Sequence, residues 1–417
     1  MAPASLLPPR LTKAEWLTRR ETQAVFSALG RGGHAARAVG GVVRNALLGR
    51  PVSDVDIATT APPDVVMQLA EEAGLKAVPT GLAHGTVTVV VDHVPYEVTT
   101  LRKDVETFGR HAKVVFTDDW AADARRRDFT INALYCGADG AVYDPLGGYA
   151  DLVARRVRFI GDARARIRED YLRILRFFRF TAEYAEAPPD ADGLLASVRE
   201  REGLAQLSGE RVHQELMRLL KAPGALDAVE AMFDHGLLTL VLPVAPRLPQ
   251  LRRLIGIERT LGLEPAPIRR LGALAIAVSE DAERLRDRLK LSTAEFTALL
   301  RASIRTPALG AASTEREAKA YLYRHGADHY RERVLMDWAR FGDHPQDPGL
   351  RALFALPGRW TPPAFPLGGG DVLALGVPPG PRVGELLREL ENWWIDAGFP
   401  NDQQALRLHL ARLAQQA

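Results

Sequence analysis

The run Asp54-Val55-Asp56, thirteen residues after the Gly40-Gly41 pair, constrains this chain more than any other feature. Val39, Val55 and Ile57 mark the flanking segments as strands, where residues i and i+2 project from one face, so the two carboxylates converge. Side by side they repel unless a cation sits between them. Hard cations such as Mg²⁺ take oxygen ligands from one or two carboxylates plus substrate phosphates, and paired glycines let backbone approach those phosphates. The pattern calls for a metal-triphosphate site built on a sheet.

At 417 residues the chain exceeds one ordinary domain, and its hydrophobic fraction of 47% supports several cores. The net charge of +2 says little, but nine arginines fall between Arg155 and Phe180 against Asp162, Glu169 and Asp170. That local excess suits an anionic partner. Cys136 is the only cysteine, which excludes an intrachain disulfide and a cysteine-built zinc site and fits a reducing compartment. No run of about 18 apolar residues offers a membrane helix, and the expected location is cytoplasmic.

Helical periodicity covers Lys13 to Leu29, a strand begins at Ala36, and Val42 to Leu48 reads as a short helix. The Asp54 to Ala58 strand follows, then a helix opened by Pro62-Pro63 and running to Gly74. Thr86 to Val91 and Val94 to Leu101 flank Asp92-His93 as an antiparallel hairpin. Lys103 to Phe116 carries no period and is expected to be a mobile loop beside the site. Asp118 to Arg127 is helical, Val157 to Ile160 a last strand, and nearly every segment from Ile167 onward a helix. The expected division is a leader at 1–20, a mixed α+β catalytic head at 21–150, a helical neck at 151–235 and a helical body and tail at 236–417.

A third carboxylate, Glu97, lies on a strand expected beside the Asp54 strand. Three acidic side chains across adjacent strands can hold two metal ions about 3.5 to 4 Å apart, the arrangement for in-line phosphoryl displacement. An isolated strand glutamate is usually just solvated; next to Asp54 and Asp56 the metal role outweighs that reading.

Gly40-Gly41-x-x-Arg44 with Leu47-Leu48-Gly49-Arg50, Asp54-x-Asp56 and Glu97-Val98-Thr99-Thr100 resembles the head of class II nucleotidyltransferases of the tRNA CCA-adding and bacterial poly(A) polymerase family. Arg126-Arg127-Asp128-Phe129-Thr130-Ile131-Asn132, Glu169-Asp170-Tyr171-Leu172-Arg173 and Glu210-Arg211-Val212-x-x-Glu215-Leu216 are similar to its later motifs, in order, over residues 35 to 222. The resemblance implies a polymerase-beta-like head followed by an all-α neck, body and tail. It implies that Gly41 and Arg44, with Gly40 beside them, contact the triphosphate, that Arg127 and Asp128 handle the sugar hydroxyl with Asn132 in the same motif, and that Asp170 and Arg173 read the base. Arg176 and Arg179 by the same resemblance approach the nucleotide; they could instead brace the domain junction.

The base-reading role has a physical argument. Asp170 and Arg173 are expected as i, i+3 neighbours on one helix, projecting an acceptor and a donor together. Cytosine and adenine both offer an amino donor next to a ring-nitrogen acceptor, whereas guanine and uracil present the opposite order. One fixed pair therefore accepts C and A without a nucleic-acid template. Taken alone, the two residues would read as an ordinary intrahelical ion pair.

Asn45 departs from the pattern, which usually has aspartate there, and this removes a salt bridge that would orient Arg44; an asparagine can still accept a hydrogen bond. Glu210 and Glu215 read as structural. No histidine is followed by aspartate, which speaks against an appended phosphohydrolase activity. In the C-terminal half Arg252, Arg253, Arg269, Arg270, Arg284, Arg286 and Arg288 stud the helices, a basic face for phosphate contacts that by resemblance would grip the elbow of a tRNA. The expected activity is template-independent addition of C, C and A to the tRNA 3′ end from CTP and ATP with two Mg²⁺ ions and no obligate protein partner. A poly(A) polymerase, a partial CC- or A-adding enzyme, and a noncatalytic RNA-binding relative are the rivals.

Overall fold

Alternation decides the first layer: Val87, Val89 and Val91 on one strand and Tyr96 and Val98 on the next are buried, while Pro95 and Glu97 between them are exposed. The computed structural model of the chain describes residues 7–108, 111–303 and 308–415. Two units result, Met1–Pro243 with Asp287–Lys290, and Val244–Arg286 with Leu291–Ala417. The expected head at 21–150 and neck at 151–235 both fall in the first unit.

Among the described residues its nine strands are β1 (Ala36–Val39), β2 (Asp56–Thr59), β3 (Lys76–Gly81), β4 (Thr86–Val91), β5 (Val94–Thr100), β6 (Arg102–Phe108), β7 (His111–Phe116), β8 (Tyr135–Gly137) and β9 (Val142–Tyr143). Seven form one mixed sheet in the order β3-β4-β5-β2-β1-β8-β9. Only β2 and β5 run parallel, and the other pairs are antiparallel. Helices Arg20–Arg31 and Pro63–Glu72 pack on the apolar face, where the Thr22 hydroxyl meets the Tyr96 hydroxyl at 3.1 Å. Asp92 and His93 join β4 to β5 with φ of 46° and 68°, the left-handed pair that matches the strands' twist.

Four expectations are corrected. The Lys13–Leu29 helix is two, Glu15–Thr18 and Arg20–Arg31, because Arg19 is extended at ψ 136°. Lys103 to Phe116 is not a loop: β6 and β7 pair antiparallel, with a register shift between Asp104 and Glu106 that interrupts the period of two. Residues 109 and 110, at its centre, lie outside the described residues. Val157–Ile160 makes only an isolated bridge, Phe129 to Phe159, because its apolar side chains serve the core and the segment facing it runs into the 3₁₀ turn Thr130–Asn132. Asp54 precedes β2 rather than opening it.

The helix Leu172–Tyr184 packs against Gly209–Lys221 and Ala225–Asp234. Its Phe177 meets Phe159 and Phe129 at ring distances of 5.4 and 6.3 Å, and Phe180 meets Phe129 at 5.1 Å. A Cβ at Gly193 would stand 2.7 Å from the Phe177 ring, so only glycine allows that approach. This cluster joins the sheet's connecting segments to the neck helix.

The second unit is helical in every described element, with one core around Leu254, Ile257, Leu335 and Trp338 and another around Leu386, Leu390, Trp394 and Leu406. Its basic residues are partly used internally. Arg269 and Arg270 bind the buried Glu258 at 3.1 and 2.7 Å, and Arg253 donates to the carbonyls of Ala339 and Arg340. Among the described residues no helix is long and apolar enough to cross a membrane.

Phe177 is fully buried in its aromatic cluster. Phe177→Ala should cost about 3–5 kcal/mol of stability, read from urea unfolding of the full chain. A loss under about 1 kcal/mol would show that the cluster does not hold the neck helix.

Candidate active site

Gly40 ends β1 and turns the chain at φ 75°, ψ −121°, a conformation that L side chains rarely adopt, directly into the helix Gly41–Leu47. Arg44 on that helix is buried. Its Nε and Nη2 donate to Asn45 Oδ1 at 3.1 and 3.0 Å, Nη1 to Asn132 Oδ1 at 2.5 Å and Nη2 to the Tyr184 hydroxyl at 2.6 Å. Asn45 thus keeps the orienting contact without the charge. Burial pushes the Arg44 pKa down.

Asp56 is paired in register with Glu97 across the parallel β2–β5 ladder, so both side chains leave the sheet on one face. The alternation extends to Asp54, since Asp54 and Asp56 are exposed and Val55 is buried. Asp54 Oδ2 accepts from Ser53 Oγ at 2.9 Å. Crowding by protein on its inner side, then the charges of Glu97 and Asp54, push the Asp56 carboxyl above its usual range, against the pull of Arg127. Among the described residues no three acidic, thiol or imidazole groups are already closed into a metal cage. The donor set fits a hard divalent cation all the same: oxygen ligands on one face, one made reluctant to ionise by the other two, gain most from added positive charge.

A cavity of about 550 Å³ borders these groups. Asp56, Gly40, Gly41, Arg44, Arg127, Asp128, Asn132, Asp170, Arg173, Arg176 and Arg179 all line it; Asp54 and Glu97 stand outside its wall. Arg127 is set by Asp123, which is 1% exposed and also receives Arg126 at 2.8 Å and the Tyr135 hydroxyl at 2.8 Å. Burial drives the Asp123 carboxyl up, but the two guanidinium groups outweigh it and hold it low. Asp128 accepts from Phe129 N–H at 2.8 Å, Asn132 Nδ2 at 3.1 Å and Arg176 Nε and Nη2 at 2.8 and 2.6 Å. Burial raises its pKa, and Arg176 with these hydrogen bonds brings it down to about 2.

Asp170 and Arg173 do not share one helix. Asp170 is extended, at φ −157°, between helices Ala163–Glu169 and Leu172–Tyr184, because its Oδ1 accepts the free N–H of Leu172 at 3.1 Å and starts the second helix. They are not paired with each other either. Asp170 Oδ2 accepts from Arg211 Nη2 at 2.6 Å, while Arg173 Nη1 donates to the Arg166 carbonyl at 2.8 Å and to Glu169. Arg173 Nε and Nη2 have no partner among the described residues. Arg176 also lies 3.5 Å from Glu215, and Arg179 binds Glu215 at 2.6 Å and Glu183 at 3.2 Å. Buried Glu215 therefore ties two arginines of the cavity to the next helix, the bracing expected of it.

The sequence reading gave no role to Asp123, Glu169, Arg211 or Tyr184. Glu169 and Arg211 stand inside the quoted motifs and could have been found there; Asp123 and Tyr184 carry no local signal.

Residues 36–158 match the family described as "Poly A polymerase head domain" and residues 195–248 the one described as "Probable RNA and SrmB- binding site of polymerase A". The chain is 35% identical over 385 residues to the Mus musculus "CCA tRNA nucleotidyltransferase 1, mitochondrial", spanning 91% of this chain and 87% of that protein. It is 31% identical to the "CCA-adding enzyme" of Limosilactobacillus fermentum, over 92% of this chain and 94% of the relative. The crystal structure of the Bacillus stearothermophilus CCA-adding enzyme in complex with CTP superposes with a TM-score of 0.68 at 28% identity, covering 95% of this chain and 98% of that one.

The folded Asp128 carboxyl titrates at about 2 against an ordinary 3.8, so its stabilisation is present above about pH 4 and lost as pH falls toward 2. Urea midpoints should show the native protein losing about 2 kcal/mol more than Asp128→Asn across that window. Parallel pH profiles would remove the Arg176–Asp128 assignment.

Proposed function

We infer the working of this site from the family to which the chain belongs, the class II CCA-adding tRNA nucleotidyltransferases: it adds C, C and A to the 3′ end of tRNA, using CTP and ATP. In each transfer the terminal hydroxyl oxygen bonds to the α-phosphorus of the nucleotide and pyrophosphate leaves.

The residue roles are our reading, and one observation carries it: Asp56 and Glu97 in register beside a cavity walled by arginines. Asp54, Asp56 and Glu97 would hold two Mg²⁺ ions, which when bound neutralise triphosphate charge and lower the pKa of the attacking hydroxyl. Arg44, fixed by neutral acceptors, keeps its full charge for the triphosphate, with Gly40 and Gly41 permitting close backbone approach. Asp128 and Arg127 face the sugar, and Asn132 orients Arg44 and Asp128 at once. Asp170 supplies the acceptor and Arg173 the donor for the base, and the two unpartnered nitrogens of Arg173 support that assignment. Arg176 and Arg179 border the nucleotide while bracing the neck. The division into leader, head, neck, body and tail stands as proposed, with the arginines of the second unit that are not spent on internal carboxylates contacting tRNA phosphates. A cytoplasmic setting suits the single thiol, Cys136, which burial pushes up to about 12 and which needs no oxidising compartment.

Purified protein with Mg²⁺ and tRNAs ending before CCA, after C and after CC should incorporate label from CTP and ATP and not from GTP or UTP. Asp54→Ala should cut incorporation by about 10³-fold while tRNA is still retained on a filter, and chelating the divalent cations should do the same. Normal activity of Asp54→Ala would sink the metal assignment. Asp170→Ala should admit GTP and UTP; an unchanged C and A preference would refute its role as base reader.

A further inference from the structure

Arg44 is a buried cation without a carboxylate partner among the described residues. Of its five N–H groups, four are taken by uncharged acceptors: two by Asn45 Oδ1, one by Asn132 Oδ1 and one by the Tyr184 hydroxyl. The Tyr184 hydroxyl donates onward to Asn45 Oδ1 at 3.2 Å, which closes a three-membered ring of contacts. The tyrosine ring lies under the guanidinium, 4.1 Å from ring centroid to Arg44 Cζ, and also meets Arg50 at 4.8 Å and Phe180 at 5.7 Å. Arg50 Nη1 donates to the Glu183 carbonyl at 2.7 Å, so the segment after the Gly41–Leu47 helix is tied to the same point.

We propose that Tyr184 is a positioning residue for the incoming nucleotide, acting through Arg44. This rests on the reading that Arg44 meets the triphosphate. Neutral acceptors fix the direction of a guanidinium without cancelling its charge, and a carboxylate at the Asn45 position would fix the same two N–H groups more strongly at the cost of part of that charge. Tyr184 fixes Arg44 from two sides, by its hydroxyl in the plane and by its ring on the face. Its position adds a second consequence. Tyr184 closes the helix that Leu172 opens, next to Asp170 and with Arg173 in its first turn, so one rigid rod of about 18 Å carries the base-reading end and the triphosphate-orienting end. A shift of the base-reading end is felt at Arg44 through this tyrosine.

The test uses the full-length protein, saturating tRNA, and varied CTP or, on tRNA ending in CC, varied ATP. Tyr184→Phe keeps the ring and deletes the hydroxyl; it should raise KM for both nucleotides about 5- to 20-fold, as expected for a lost hydrogen bond to a charged group, with kcat and the KM for tRNA within about twofold. Adding Asn45→Asp to that variant supplies a charged acceptor for the same two N–H groups and should bring the nucleotide KM back to within about threefold of the native value. A purely structural clasp would instead lower the thermal midpoint and kcat together, and Asn45→Asp would not rescue it. Should Tyr184→Phe be insoluble, Asn45→Ala, which removes the acceptor shared by Arg44 and Tyr184, is expected to raise the nucleotide KM in the same way, and no rise overturns the proposal. Arg44→Ala separates the two levels. If it raises the nucleotide KM and Tyr184→Phe does not, only the role of Tyr184 falls; if Arg44→Ala leaves the nucleotide KM unchanged, the triphosphate role of Arg44 falls with it.

Discussion

Eight arginines line one cavity, and that crowding is the constraint on which the rest of the first unit depends. Guanidinium groups drawn together away from water repel one another unless carboxylates are set between them, and removing one partner of a buried pair costs about 3–5 kcal/mol. The chain interleaves them: Asp123 takes Arg126 and Arg127, Asp128 takes Arg176, Glu169 takes Arg173, Asp170 takes Arg211, and Glu215 takes Arg176 and Arg179. Most of these pairs cross from one element to another. The lattice that makes a positive cavity tolerable is therefore also what fixes the neck helices against the sheet and its connections.

Within that lattice the exceptions are informative. Arg44 is held by neutral groups only, and Asp56 is crowded by like charge from Glu97 and Asp54. One is a cation whose charge is left uncancelled and the other an anion whose charge is aggravated. A metal-bound triphosphate carries the two complements. The structural pairs are balanced inside the protein, while Arg44 and Asp56, which are not, are assigned to substrate.

Much of the head was legible in the sequence. Period-two alternation marked β4 and β5, and the spacing of Asp54, Asp56 and Glu97 anticipated neighbouring strands, because strand geometry is local and a parallel register needs only two matched segments. The hairpin of β6 and β7 was missed, since two strands paired with each other need no apolar face and a register shift erases the period. Val157–Ile160 misled in the opposite sense: an apolar run is buried wherever it packs, and the segment facing it turns away after a single bridge. The placing of Asp170 and Arg173 on one helix was misread for a capping reason, as an aspartate that accepts a backbone N–H ends one helix and starts the next.

The sequence by itself determined the chemistry available: three carboxylates on or beside two strands, glycines that free the backbone, and an arginine-rich stretch, all in an order whose motif resemblance named the family. Only the tertiary structure decided the cross-element pairs of the cavity, Arg176 with Asp128 and Glu215, Arg179 with Glu215 and Arg211 with Asp170, because those partners lie up to 48 residues apart and are chosen by packing rather than spacing. It likewise replaced a missing charge at Asn45 with the hydroxyl of Tyr184, 139 residues away, a contact that no local pattern encodes.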